Sequence, residues 1–147
     1  MLYLEDLELG AVIDCGSFRL GRDEIVAFAE RYDPQPFHLD EDAARASYFQ
    51  GLCASGLHSQ GAAIGLMVRR LQGIAFVAGW SLHEARFYAA VRPDTEYRVR
   101  ASWSDISPSP RNPARGRASI AGEARDAEGG LVMTFGVTYV IARRPAR

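Results

Sequence analysis

One segment limits the folds open to this chain more than any other. Between Ser55 and Gly73, small residues stand at Gly56, Ser59, Gly61, Ala62, Ala63 and Gly65, and apolar ones at Ile64, Leu66, Met67, Val68 and Leu71. Coiled as a helix, such a segment avoids water round most of its circumference, so it belongs inside a large core or a wrapping sheet. Ser55 is a good N-cap and Gly73 a good C-terminal stop, which predicts a helix from Gly56 to about Gln72. Its internal glycines disfavour an isolated helix, so tertiary contacts must hold it. A chain of 147 residues, 48% apolar, has room for one domain around that helix.

The flanking sequence supplies the rest. Ile25, Phe28, Ala29 and Tyr32 recur at helical spacing behind Gly21, with Asp23 and Glu24 where the helix dipole favours acids, and Pro34 ends this helix. Asp40 caps a second, short helix through Asp42 to Ala46. Further on, Thr95, Tyr97, Val99, Ala101 and Trp103 alternate with Glu96, Arg98, Arg100 and Ser102, the period of a half-buried strand. Gly116 to Ala124, a turn at Asp126 to Gly130, and Leu131, Met133, Phe135, Val137, Tyr139 and Ile141 on one face predict a closing hairpin. Gly10 to Phe18 and Phe76 to Val91 supply two more strands, the latter anchored by Trp80, Phe87 and Val91, while proline-rich Ser107 to Arg115 is a loop. This order describes an α+β fold, a single hot-dog domain over residues 1–147 in which a curved antiparallel sheet wraps one long central helix. One sheet covers only one side of a helix, so a homodimer or higher homo-oligomer is expected.

Charge is nearly balanced, 17 Lys and Arg against 18 Asp and Glu, so no global field draws the protein to nucleic acid or to an anionic membrane. Met1 to Asp6 form neither a basic nor an apolar targeting region, and no apolar run approaches the ~20 residues of a spanning helix. A soluble, cytoplasmic protein is expected. Cys15 and Cys53 suggest no disulfide or zinc framework, and His38, Asp40, His58 and His83 lack metal-ligand spacing.

Chemistry concentrates at Asp33-Pro34-Gln35-Pro36-Phe37-His38-Leu39-Asp40 and at Phe49-Gln50-Gly51-Leu52-Cys53-Ala54-Ser55-Gly56. An aspartate before a proline is an ordinary turn former. Its conjunction with His38, Gly51, Ser55 and a buried small-residue helix is not ordinary. The first segment resembles the D-x-N-P-x-H-x-D motif of the MaoC-like (R)-specific enoyl-CoA hydratases and dehydratases, single hot-dog domains that add water to trans-2-enoyl-CoA or remove it from 3-hydroxyacyl-CoA. Ala43-Ala44 and the second segment resemble that family's continuation into the central helix. Arg86-Phe87 with Val91-Arg92-Pro93-Asp94-Thr95 resembles its R-F-x-x-P-V-x-P-G-D-T stretch, and the final hairpin its last two strands. Gln35 stands in place of the family's asparagine, Ser55 in place of a histidine that many members carry, and the glycine before Asp94 is missing.

The resemblance implies a hydro-lyase in which Asp33 is the general base and His38 its partner, together holding the water that attacks C3. A positioned base contributes about 10² to 10⁴ in rate. An ordinary carboxylate, with a pKa of about 3.9, is a weak base, so burial is expected to strengthen Asp33. Gly56, an amide without a Cβ at the positive end of a helix, would donate to the thioester oxygen as charge develops there. Ser55, Gln35 and Phe37 are expected beside the substrate, an acyl-CoA thioester, and no cofactor or metal is implied. Which group protonates C2 stays open. Arg69, Arg70, Arg111, Arg115 and Arg117 are unranked candidates for the CoA phosphates, while Arg22, Arg45 and Arg92 read as solvated surface charges.

Other readings compete. Many hot-dog thioesterases carry an acid on the central helix, but residues 56–72 contain none, which favours water addition at C3. A non-catalytic acyl-CoA binder is disfavoured by the intact Asp33 and His38. A serine hydrolase built on Ser55 and His58 would lack the G-x-S-x-G elbow, and both residues read more simply as a helix cap and a packed side chain.

Overall fold

The computed structural model describes residues 1–146. Strands β1 (Ile13–Arg19), β2 (Phe76–Phe87), β3 (Glu96–Pro108), β4 (Arg115–Arg125) and β5 (Leu131–Ala142) form one antiparallel sheet in the order β1-β3-β4-β5-β2. The predicted alternation holds where a strand has one covered face. Tyr97, Val99, Ala101 and Trp103 of β3 are buried, as are Ile120 of β4 and Met133, Phe135, Val137 and Ile141 of β5. They form one core with Ala63 and Met67 of the central helix.

Four helices interrupt the strands: α1 (Arg22–Tyr32), α2 (Pro36–Leu39), α3 (Glu41–Arg45) and α4 (Gly56–Arg70). Each begins for a local reason. Glu24 Oε1 accepts the Gly21 N–H at 2.5 Å ahead of α1, and Asp40 Oδ2 accepts the Ala43 N–H at 2.8 Å in α3. Ser55 Oγ accepts the Leu57 N–H at 3.2 Å at the start of α4. The single turn of α2 was not expected from periodicity, being too short to show any; Pro36 at its first position presets the helical φ.

Three expectations need correction. Helix α4 is not covered all round, because one sheet meets one side of it: Ser59, Gln60, Ala63 and Met67 are buried, whereas Leu57 and Val68 are exposed. Trp80 and Phe87 do not anchor the core; they are 57% and 52% exposed, since β2 is an edge strand paired only with β5 and, among the described residues, only partly covered. Trp80 instead stacks under the Arg117 guanidinium, 3.8 Å from the ring centroid. Tyr32, placed on the apolar face of α1 by its spacing, is also exposed and touches Phe28 alone among aromatic rings. No helix among the described residues is long and apolar enough to cross a membrane.

Candidate active site

Backbone chemistry folds the Asp33 to Asp40 segment back on itself. Pro34 ends α1, and Asp33, its C-cap, still donates its N–H to the Ala29 carbonyl at 2.9 Å. A tight turn follows, with the Gln35 N–H on the Asp33 carbonyl at 2.8 Å, and then α2 begins. That turn of helix swings His38 over Asp33, leaving Nε2 3.4 Å from Oδ2. Their side chains are only 6% and 19% exposed, respectively.

A peptide carbonyl sets the imidazole. His38 Nδ1 lies 2.7 Å from the Cys53 carbonyl oxygen. A carbonyl can only accept, so Nδ1 carries a hydrogen, and in the uncharged form of the ring Nε2 turns its lone pair toward Asp33. Two acceptors this close repel unless a hydrogen lies between them, and the two O–H groups of one water satisfy both. In that form the pair can accept two hydrogen bonds from one hydroxylic molecule.

The loop that carries the Cys53 carbonyl is itself held. The Cys53 N–H donates to the Phe37 carbonyl at 3.3 Å and the Ala54 N–H to the Val91 carbonyl at 2.9 Å. The Arg92 guanidinium donates to the carbonyls of Phe49, Gly51 (2.8 Å) and Leu52 (3.4 Å). Arg92 is therefore not a solvated surface charge as its sequence context suggested. Its fork of five N–H groups matches a bend where three carbonyls converge.

Asp33 is gripped at both oxygens. Ser55 Oγ donates to Oδ2 at 2.6 Å and Gln35 Nε2 to Oδ1 at 2.8 Å. These two bonds, Ser55's first and Gln35's second, hold the carboxyl below its ordinary range against the opposing effect of burial. The expected strengthening of Asp33 by desolvation is thus reversed, because hydrogen bonds to the charged form outweigh it. Ser55 is fully buried and does not line the cavity; it caps α4 and reaches Asp33.

A cavity of about 530 Å³ opens above this cluster. Asp33, Gln35, His38 and Gln60 are its polar side chains, while Phe37, Phe49, Leu57, Phe87, Val91 and four alanines give it an apolar wall. Phe37 meets His38 edge-on, with ring centroids 4.6 Å apart. Gly56 lines the cavity at the first position of α4, where N–H groups have no intrahelical acceptor and the helix dipole is positive. A methyl group there would lie 2.6 Å from the Phe87 ring, so the close ring requires glycine. A depression of similar size, about 560 Å³, lies on the outer sheet face near Arg100 and Glu123 and contains none of these residues.

The family model described as MaoC like domain matches residues 9–119. The chain belongs to the MaoC-like dehydratase family. It is a family of hydratases and dehydratases with the hot-dog fold. A MaoC-like dehydratase from Rhodospirillum rubrum is 35% identical, with a TM-score of 0.88 over 99% of this chain and 100% of that one. Uncharacterized protein YdeM of Bacillus subtilis is 31% identical over 94 residues, 63% of this chain and 67% of the relative. The R-hydratase PhaJ1 of Pseudomonas aeruginosa, 19% identical, shares the fold with a TM-score of 0.74 over 97% of this chain and 86% of that one.

Within this MaoC-like chain, the remaining candidates fall elsewhere. Ser55 Oγ is engaged with Asp33, so it forms no nucleophile pair with His58. His58 stacks on Phe28 at 4.4 Å, and its buried Nδ1 has no partner among the described residues. Ser59 Oγ donates back to the Ser55 carbonyl at 3.2 Å. Arg69 and Arg70 end α4, about 20 Å along the axis from Gly56, too far to serve this cavity from the same chain. No group of three or more His, Cys, Asp or Glu among the described residues could hold a metal ion. Sequence reasoning missed Arg92, Gln60 and the Cys53 carbonyl; of these, only Arg92 left a trace, inside the Val91 to Thr95 resemblance.

Proposed function

We propose that this protein adds water across the double bond of a trans-2-enoyl-CoA to give the (R)-3-hydroxyacyl-CoA, and runs the reverse dehydration. The observation that carries the reading is the Asp33 Oδ2 to His38 Nε2 approach of 3.4 Å, with the imidazole fixed by the Cys53 carbonyl. A water seated there donates one hydrogen to each acceptor and aims an oxygen lone pair at C3. Asp33, held in its ionised form, is a poor proton acceptor, and the free lone pair of Nε2 takes the proton instead. Oxygen bonds to C3, the π electrons move toward the thioester oxygen, and the imidazolium Nε2–H returns its proton to C2. Asp33 stabilises the imidazolium between those steps. The first-turn N–H groups of α4 at Gly56 supply donors for the enolate oxygen, an arrangement that elsewhere is worth about 3 kcal/mol per donor.

Two further features support the reading. Among the described residues Asp33 is the only carboxylate lining the cavity, and α4 carries none, so no acid stands where a hot-dog thioesterase places one. Strand β2 leaves Val77, Trp80, Leu82 and Phe87 exposed along an unpaired edge, which supports assembly as a homodimer through that strand.

The test is incubation of the purified protein with a panel of trans-2-enoyl-CoAs and saturated acyl-CoAs, following loss of the conjugated thioester absorbance and release of free thiol separately. Loss of absorbance without thiol is expected. Thiol release would replace the reading with a thioesterase. Silence in both assays, with the CoA ester still bound, would leave a binding protein.

A further inference from the structure

One polar side chain in the cavity stands apart from the Asp33 cluster. Gln60 lies one turn beyond Gly56 on the same face of α4, and side chains there lean back toward the helix N-terminus. It is only 9% exposed and lines the cavity. The neighbouring polar groups on the helix are occupied, Ser55 with Asp33 and Ser59 with the Ser55 carbonyl. Among the described residues, no side-chain hydrogen bond involves Gln60. Its amide offers one acceptor and two donors to whatever fills the space between Leu57, Phe87 and Val91.

Buried amides are partnered in native proteins, by protein, water or ligand. A plain hydrocarbon chain in this cavity would strip water from the Gln60 amide and return nothing. Among the described residues no Lys or Arg lines the cavity, and Asp33 places a negative charge in it, so a second carboxylate on the acyl chain would have no counter-ion there. We infer that Gln60 is a specificity-determining residue that hydrogen-bonds an uncharged oxygen substituent, a hydroxyl or a keto group, at C4. The substrate class is then an oxygenated 2-enoyl thioester. This rests on the hydration reading above, with the thioester at the Gly56 end of α4 and the acyl tail running along the helix.

The experiment compares trans-2-pentenoyl-CoA with 4-hydroxy-trans-2-butenoyl-CoA, which differ by a methyl group against a hydroxyl at one position. Wild-type protein is expected to favour the hydroxylated thioester in kcat/KM by about tenfold or more, because a site built to bond a hydroxyl rejects the analogue without it. Gln60→Met, which keeps the length and removes the amide, and Gln60→Leu are each expected to abolish or reverse that ratio. A wild-type preference for the hydrocarbon overturns the inference even if neither variant folds, and so does a ratio that the variants leave unchanged. Hydration of neither thioester instead counts against the proposed reaction itself, so the two failures are distinguishable.

Discussion

Ser55 Oγ donates to Asp33 Oδ2 at 2.6 Å while accepting the Leu57 N–H at 3.2 Å, so one hydroxyl both caps α4 and fixes the carboxylate. Ser55→Ala removes both bonds. Loss of the cap should lower stability by about 1 kcal/mol, read as a lower melting temperature. Asp33 also loses the strongest of the effects holding its pKa down, so the acid limb of the pH–rate profile should move to higher pH. A fall of about tenfold in kcat/KM is expected with it. Ser55→Thr, which keeps the hydroxyl, should restore the limb; a limb unmoved in the alanine variant would reduce Ser55 to a cap.

Asp33→Asn and His38→Ala should each cut turnover by about 10² to 10⁴ with the fold and assembly intact. Circular dichroism and sedimentation check the fold and the assembly. A near-normal rate in either variant removes that residue from the reaction.

The pairing of Asp33 with His38 was expected from the resemblance to the family motif, and the structure brings the two side chains together because Pro34 and Pro36, standing between them, bend the chain back. Strands β3 and β4 were legible because each buries one face, and β5 because its residues are apolar on both. Strand β2 misled: Trp80 and Phe87 read as core anchors because large apolar side chains usually are, and sequence carries no mark of the edge position that leaves them outside. The Cys53 carbonyl was invisible, since every residue has one. Arg92 looked like any surface charge until the chain bend brought three carbonyls to it.

His58 should impose a pH dependence on stability. Burial against Phe28 pushes its pKa below the ordinary 6.5, so the unfolded chain binds the proton more readily than the folded one. Its neutral form is tolerated in full above 6.5, and stability falls as pH drops below that value toward the lowered folded pKa. His58→Leu should flatten the melting temperature across that acidic window. A slope equal to the wild type's would assign the dependence to other groups.

Leu82→Lys puts a charge on the exposed edge of β2, the device by which natural sheets discourage pairing. Sedimentation equilibrium should show a shift from dimer to monomer. An unchanged dimer would mean that copies meet through another face.

Phe87 and Ala85 belong to that same edge strand, and both contribute to the cavity wall beside Gly56. If copies pair through β2 as proposed, a seam and a reaction chamber share one ribbon of backbone. Separating the copies by dilution would leave the ribbon unsupported along one side, so turnover per chain should decline as the protein is thinned below its dissociation constant, tying catalytic rate to mass action.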